Sequence, residues 1–145
     1  MPRIIKSIEE KYLTSSLELV EKVFAESCGE EEGKTVRRLV EEIRAKKYYL
    51  PELELVAVDE KDEVIGYAMF SRFHIEGKYE NELLILTPVA VKTELQRRHI
   101  SKDLLEHGFE KAKEMGYKVV MVEGEPKNFA PRGFKIAFRF TNINI

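Results

Sequence analysis

The apolar stretch Thr87-Pro88-Val89-Ala90-Val91 is followed, five residues on, by Gln96-Arg97-Arg98-His99-Ile100-Ser101 and then Lys102. A strand interrupted by proline thus leads through a short polar turn into a helix whose beginning is rich in cations. The start of a helix presents N–H groups without intrahelical partners and a partial positive charge, so the junction suits an anion, above all a phosphate. Arginines at a helix start oppose the macrodipole, a placement that a bound anion makes favourable. Without an anion, Arg97 and Arg98 form a solvated turn, and His99 either touches the phosphate or shields the turn.

The elements that must hold this junction follow from periodicity. Arg3 to Ile8 reads as a first strand; Leu13, Leu17, Val20 and Phe24 recur at helical spacing, and Gly29 ends that helix. Gly29-Glu30-Glu31-Glu32-Gly33 is expected as a polar segment before a second helix carrying Val36, Leu39, Val40 and Ile43, with Pro51 closing this part. Leu53, Leu55 and Ala57 alternate with Glu52, Glu54 and Val56, Asp59 to Asp62 is a polar turn, and Val64 to Phe73 returns as the second strand of a hairpin. Leu83 to Val91 is almost wholly apolar, as a strand covered on both faces should be. Pro88 cannot donate to a ladder, so pairing must be released there on one side, as at a bulge or a splayed strand.

Ile100, Leu104, Leu105, Gly108, Phe109, Ala112 and Met115 then make one helical stripe, and Gly116 is placed to terminate it. Tyr117 to Val122 reads as a buried strand, and the length of the crossover makes it parallel to the strand before it. After a short helix, Phe134, Ile136, Phe138 and Phe140 alternate in a last, half-buried strand. The expected fold class is α/β, an α+β mixed sheet in the order β-α-α-β-β-β-α-β-α-β, with helices on both faces and a splayed central parallel strand pair.

Bulk properties narrow the function. A formal net charge of -2 gives no electrostatic case for nucleic acid. No apolar run approaches the ~18 residues of a membrane span, and the N-terminal residues turn charged too early for a signal peptide. The lone Cys28 has no partner for an internal disulfide, which fits a reducing compartment. These readings lead to the expectation of one cytoplasmic domain over residues 1–145, with no nucleic-acid or membrane partner and no metal; a homodimer is compatible with them.

The element order and the central motif together resemble the GNAT family of acetyl-CoA-dependent N-acetyltransferases over essentially the whole chain. Most members carry Gln/Arg-x-x-Gly-x-Gly/Ala at the strand-to-helix turn; here Gln96 and Ile100 match, while His99 and Ser101 stand at the two glycine positions. Glycine there permits close approach of backbone N–H to phosphate, and a Cβ narrows it, although helical φ/ψ is open to His and Ser. Arg97, Arg98 and Lys102 supply cations that can compensate. A second matching segment runs from Glu123 through Asn128, Phe129 and Arg132 to Gly133-Phe134. Where many members place a Tyr that protonates the departing thiolate, this chain has Phe129, which has no proton to give.

The resemblance implies acetyl-CoA as co-substrate and a primary amine of a small molecule or peptide as acceptor, joined by direct transfer. It assigns pyrophosphate binding to Gln96, Arg97, Arg98, His99, Ile100, Ser101 and Lys102, with Asn128 in the same cofactor-binding set. A free backbone N–H near Val89, Ala90 or Val91, exposed by the splay at Pro88, would polarise the thioester carbonyl, worth on the order of 3 kcal/mol. Glu82 is the acidic residue nearest in sequence to this centre and is a candidate base, beside ordered water or a solvated strand-end charge. Glu30, Glu31 and Glu32 either attract a cationic acceptor or form a solvated acidic loop. The alternative from a different class is a non-catalytic acyl-CoA-binding sensor or partner module of the same fold, which Phe129 and the missing glycines favour.

Overall fold

A computed structural model of the protein describes residues 3–72 and 83–122. Within them the order is β1 (Arg3–Ser7), α1 (Leu13–Cys28), α2 (Glu30–Arg44), β2 (Glu54–Asp59), β3 (Val64–Arg72), β4 (Leu83–Val91), α3 (Ile100–Glu114) and β5 (Val119–Val122). Short 3-10 turns precede α1, β2 and α3. The strands form one sheet in sequence order, antiparallel from β1 to β4 and parallel between β4 and β5. The expected order therefore holds as far as β5. The expected short helix and last strand lie outside the described residues.

Alternation along the strands builds two cores. Val56, Val58, Tyr67, Met69 and Ala90 face α1 and α2, packing with Leu19, Val20, Val36, Val40 and Ile43. Leu55, Ala57, Ala68, Phe70, Leu84 and Leu86 share the other core with Ile100, Leu104, Leu105 and Ala112 of α3. A sheet covered on both faces explains why β4 is so apolar. It also explains why Glu54 and Val56, taken above as the polar side of a half-covered strand, are buried.

Three local readings change. Glu30, Glu31 and Glu32 form the first turn of α2 and not a loop, because Gly29, at φ 101, turns the chain between the helices in a single residue. Three carboxylates at a helix N-terminus suit its dipole, which accounts for the acidic run locally. The strand expected from Tyr117 begins at Val119, and Val119 is exposed. Among the described residues β5 has only β4 as a strand neighbour. Gly116, at φ 92, follows α3 as expected, its N–H donating to the Lys113 carbonyl.

The bulge expected at Pro88 is present. Val89 pairs with Ala68 and Leu86 pairs with Phe70, so Thr87 and Pro88 together stand opposite Met69 alone. On its other edge β4 pairs with β5 from Leu83–Val119 to Leu86–Val122. Whether the parallel pair splays further along involves residues beyond Val122, outside those described.

Two glycines set the distance between layers. A Cβ on Gly108 would lie 2.2 Å from Phe70 Cε1, and one on Gly33 would lie 2.5 Å from the Glu21 carbonyl oxygen. The first lets α3 sit down on the sheet, the second lets α2 close on α1. For Gly108→Ala two effects compete: alanine improves helix propensity by ~1 kcal/mol, while overpacking a ring held on both sides costs about 1–3 kcal/mol. Phe70 is buried and also meets Phe109 edge-on at 6.0 Å, so it has no easy retreat. Urea unfolding of Gly108→Ala is expected to show a net loss of stability, although the same change at an exposed helical site would show a gain.

Candidate functional site

The β4–α3 junction is positioned by a missing side chain. Gly66 of β3 pairs with Val91 at the end of β4. A Cβ on Gly66 would lie 2.8 Å from Ile100 Cγ2 and 3.1 Å from Leu104 Cδ1. The first residue of α3 is thereby seated directly over the strand pair that ends at Val91. Lys92 N–H donates to the Ile65 carbonyl at 2.9 Å, and Gln96 Nε2 donates to the Val91 carbonyl at 3.3 Å. The first five residues of the eight-residue connection, Lys92 to Gln96, are thus tied back to the sheet at both ends.

The turn reaches the helix through left-handed backbone. Arg97 has φ 66 and His99, the residue before α3, has φ 64. The expectation that His99 takes helical angles is therefore wrong: His99 is the N-cap, outside the helix, where the chain turns in from the extended Gln96. Ser101, by contrast, lies inside α3, where a Cβ costs nothing. The first helical bond runs from Asp103 N–H to the His99 carbonyl at 3.0 Å. The N–H groups of Ile100, Ser101 and Lys102 precede it and remain at the open end of the helix.

Charge around this end is one-sided. Gln96, Arg97, Arg98, His99 and Lys102 are exposed. Neither Arg97 nor Arg98 has a carboxylate within ion-pair distance among the described residues, whereas Lys102 reaches Glu106 at 3.9 Å. Asp103, the acid of the first turn, is held by Arg3 of β1, with Nη2 to Oδ2 at 2.6 Å and Nε to Oδ2 at 2.8 Å. Ile100 is a correction: the residue is 1% exposed and belongs to the core, so its side chain is not open to a ligand. Ala90 and Val91 are likewise buried and Val89 half-buried, so β4 offers no exposed side chain there. Glu82, Asn128 and Phe129 lie outside the described residues.

A family model for the Acetyltransferase (GNAT) family matches residues 17–134. The chain belongs to the GNAT family. Over 85 residues it is 31% identical to the uncharacterized N-acetyltransferase YhbS of Escherichia coli K12, covering 59% of this chain and 50% of YhbS. The chain thus spans about half the length of the curated relatives it matches. Among solved structures, a GNAT family N-acetyltransferase (YhbS) from Escherichia coli in complex with CoA has TM-score 0.81 at 24% identity, covering 93% of this chain and 69% of that one. A GNAT family acetyltransferase from Brucella melitensis in complex with acetyl-CoA has TM-score 0.82 at 23% identity, covering 92% and 83%. The mixed sheet with its β4 bulge is the GNAT fold.

Within that family the two glycine positions of the turn are not equivalent in this chain. Position 99 needs a left-handed residue and position 101 does not. His tolerates left-handed angles better than most residues, yet they cost an L-residue roughly 1–2 kcal/mol, against roughly 0.5–1 kcal/mol of extra chain entropy for glycine. His99→Gly is therefore expected to leave the melting temperature equal or higher, while Ser101→Gly, inside the helix, loses up to ~1 kcal/mol. Thermal melts of the two variants side by side check this, and a lower melting temperature for His99→Gly would contradict the backbone argument.

Sequence reasoning missed a second cluster, centred on Glu54. This residue is 0% exposed, and its Oε2 accepts Arg44 Nε and Nη2, each at 2.7 Å, together with the Tyr67 hydroxyl. Its Oε1 accepts the Tyr49 hydroxyl. Arg44 also donates to Ser16 Oγ at 2.9 Å and to the Leu13 carbonyl at 3.3 Å. The available signal was that Val56 and Val58, on Glu54's own side of β2, are apolar, which marks that side as covered.

Burial, with the neighbouring Glu54 carboxylate second, pushes the Tyr67 phenol well above its usual value; the same causes raise Tyr49. Both phenols thus stay protonated in the folded chain at a pH where the unfolded chain ionises them. Their stabilising contribution is complete below the unfolded value near ~10 and is lost as pH rises above it. Wild-type protein is expected to lose stability steeply in alkali, and Tyr49→Phe/Tyr67→Phe to show a flatter decline, by urea melts across that range.

Proposed function

We propose that this chain moves an acetyl group from acetyl-CoA to a primary amine of a small molecule or peptide by direct transfer. The observation that carries the reading is the open N-terminus of α3, seated against the end of β4 by Gly66 and flanked by two arginines without carboxylate partners among the described residues. The N–H groups of Ile100, Ser101 and Lys102 receive pyrophosphate oxygens there, with Arg97 and Arg98 supplying charge and Lys102 adding to it. Gln96, bonded to Val91, shapes the turn. The complexes of the YhbS protein with CoA and of the Brucella melitensis protein with acetyl-CoA support the assignment through their shared fold.

Transfer needs the amine nitrogen to attack the thioester carbonyl, the oxyanion to be held, and the thiolate to leave as the nitrogen loses its proton. A backbone N–H of Val89, Ala90 or Val91 near the β4 bulge holds the oxyanion; a fixed donor of this kind is worth on the order of 3 kcal/mol. Glu82 or water takes the amine proton. Phe129 donates nothing, so the thiol, with a reference pKa near ~8.5, leaves partly as thiolate. Turnover is accordingly modest and rises with pH as more acceptor amine loses its proton. The reading includes residues 1–145 as one domain working in the cytoplasm; among the described residues no helix is long and apolar enough to cross a membrane.

Phe129 favours a second reading, a non-catalytic acyl-CoA-binding module. Calorimetry should show acetyl-CoA binding that falls at least ~10-fold in Arg98→Glu, the scale expected when a charge-assisted contact becomes a repulsive one. A screen of amines for free-thiol release should then find turnover that Phe129→Tyr increases. Binding without thiol release in either variant selects the module, and absence of binding by the wild-type chain rejects both.

A further inference from the structure

The Glu54 cluster is larger than packing alone requires. One carboxylate collects hydroxyl or guanidinium donors from the end of α2 (Arg44), the segment before β2 (Tyr49) and the middle of β3 (Tyr67). Through Arg44 it also reaches the first turn of α1. A largely buried ion pair is rarely a net source of stability, because desolvation offsets the attraction, whereas it fixes its partners in one geometry. The partner that matters most is Tyr67. It pairs with Val56 on one side and with Ala90 on the other, and Tyr67 and Ala90 lie in the same core under α1 and α2. The next residue pair along is Ala68–Val89, and beyond it comes the bulge of Thr87 and Pro88 opposite Met69.

We propose that Tyr67, held by Glu54 and Arg44, is a positioning residue for acyl transfer, fixing β3 against the Val89–Val91 segment whose backbone N–H faces the thioester carbonyl. This rests on the proposed function. The phenol touches no reactant, being 0% exposed. It acts by holding the strand beside a bulge, where the ladder is interrupted and register is least secured by the backbone itself. Fixing a donor matters steeply, since a displacement of ~1 Å at a reacting centre costs about a hundredfold in rate. Tyr49 provides an internal comparison. Its hydroxyl binds the other oxygen of the same carboxylate, but it stands outside the strands and pairs with nothing on β4.

The test compares Tyr67→Phe with Tyr49→Phe in the full chain. Each keeps the ring and removes one hydroxyl from Glu54. Hydrogen exchange at the amides of Val89, Ala90 and Val91 should accelerate about tenfold or more in Tyr67→Phe relative to Tyr49→Phe. In the transfer assay Tyr67→Phe should lower kcat about tenfold or more, with amine KM and acetyl-CoA affinity within about threefold of wild type, while Tyr49→Phe keeps wild-type kcat. Equal exchange and equal kcat losses in the two variants, tracking their losses of stability, would overturn the inference. A wild-type chain without turnover overturns the proposed enzyme instead, and the exchange comparison still decides whether Tyr67 fixes β4. Should Tyr67→Phe fail to fold, Glu54→Gln, which keeps the shape of the acceptor, carries the same two readouts.

Discussion

The contact between Ile100 and Gly66 is the constraint on which the rest of the junction depends. Only a residue without Cβ lets the first turn of α3 descend onto β3 beside its pairing with Val91. That descent has three consequences. It buries Ile100 and Leu104, anchoring the helix at its N-terminal end as Gly108 anchors its middle. It brings the open N–H groups of α3 alongside the end of β4. It also sets where the eight-residue connection must arrive, and the chain enters the helix with Arg97 and His99 at left-handed angles.

The sheet is organised so that its two faces do different work. The α3 face is apolar and closely packed, with Gly108 admitting Phe70 and Gly66 admitting Ile100. The α1–α2 face carries the buried charge. Glu54 and Arg44 there link the first turn of α1, the end of α2, the start of β2 and the middle of β3, all around one carboxylate. Apolar packing alone would let two antiparallel helices slide along a sheet by small steps, since burial is nearly direction-free. A guanidinium that forks onto one oxygen and then reaches two groups of α1 has one geometry. The core on this side therefore has its register set by polar contacts and its stability supplied by Val20, Val40, Val56 and their neighbours.

Much of this was legible in the amino-acid sequence, for identifiable reasons. Strand and helix periods do not overlap in Leu83–Val91 and Ile100–Met115, and Pro88 can mean little but an interrupted ladder, so the order of elements and the bulge could be read. Three features could not. The backbone angle at His99 depends on how closely α3 approaches the sheet, a tertiary distance fixed by Gly66. The acidic run at Glu30 looked like a loop because a lone glycine turning two helices in one residue leaves no composition signal beyond itself. Glu54 looked solvent-facing because alternation assigns a residue to a face but does not say whether that face is covered; only Val56 and Val58 hinted that it was. Each failure concerns contact between elements, not the elements themselves.

Charge placement at the start of α3 follows from the same geometry. A helix N-terminus normally gains from an acid in its first turn, and Asp103 supplies it. Left free, that carboxylate would repel an anion approaching the Ile100–Lys102 amides. Arg3 of β1, two strands removed from the junction, binds it at 2.6 Å and offsets its charge. The remaining fixed charges near the helix end are Arg97 and Arg98, placed by the left-handed turn on exposed backbone and matched by no carboxylate among the described residues, and Lys102, only loosely engaged at 3.9 Å. Two cations opposing a helix dipole are mildly unfavourable in an empty site and favourable once a pyrophosphate lies between them and the amides. On the proposed function, the arrangement is complementary to the ligand rather than to the folded chain, which is the pattern expected of a binding turn and the reverse of a solvated structural one.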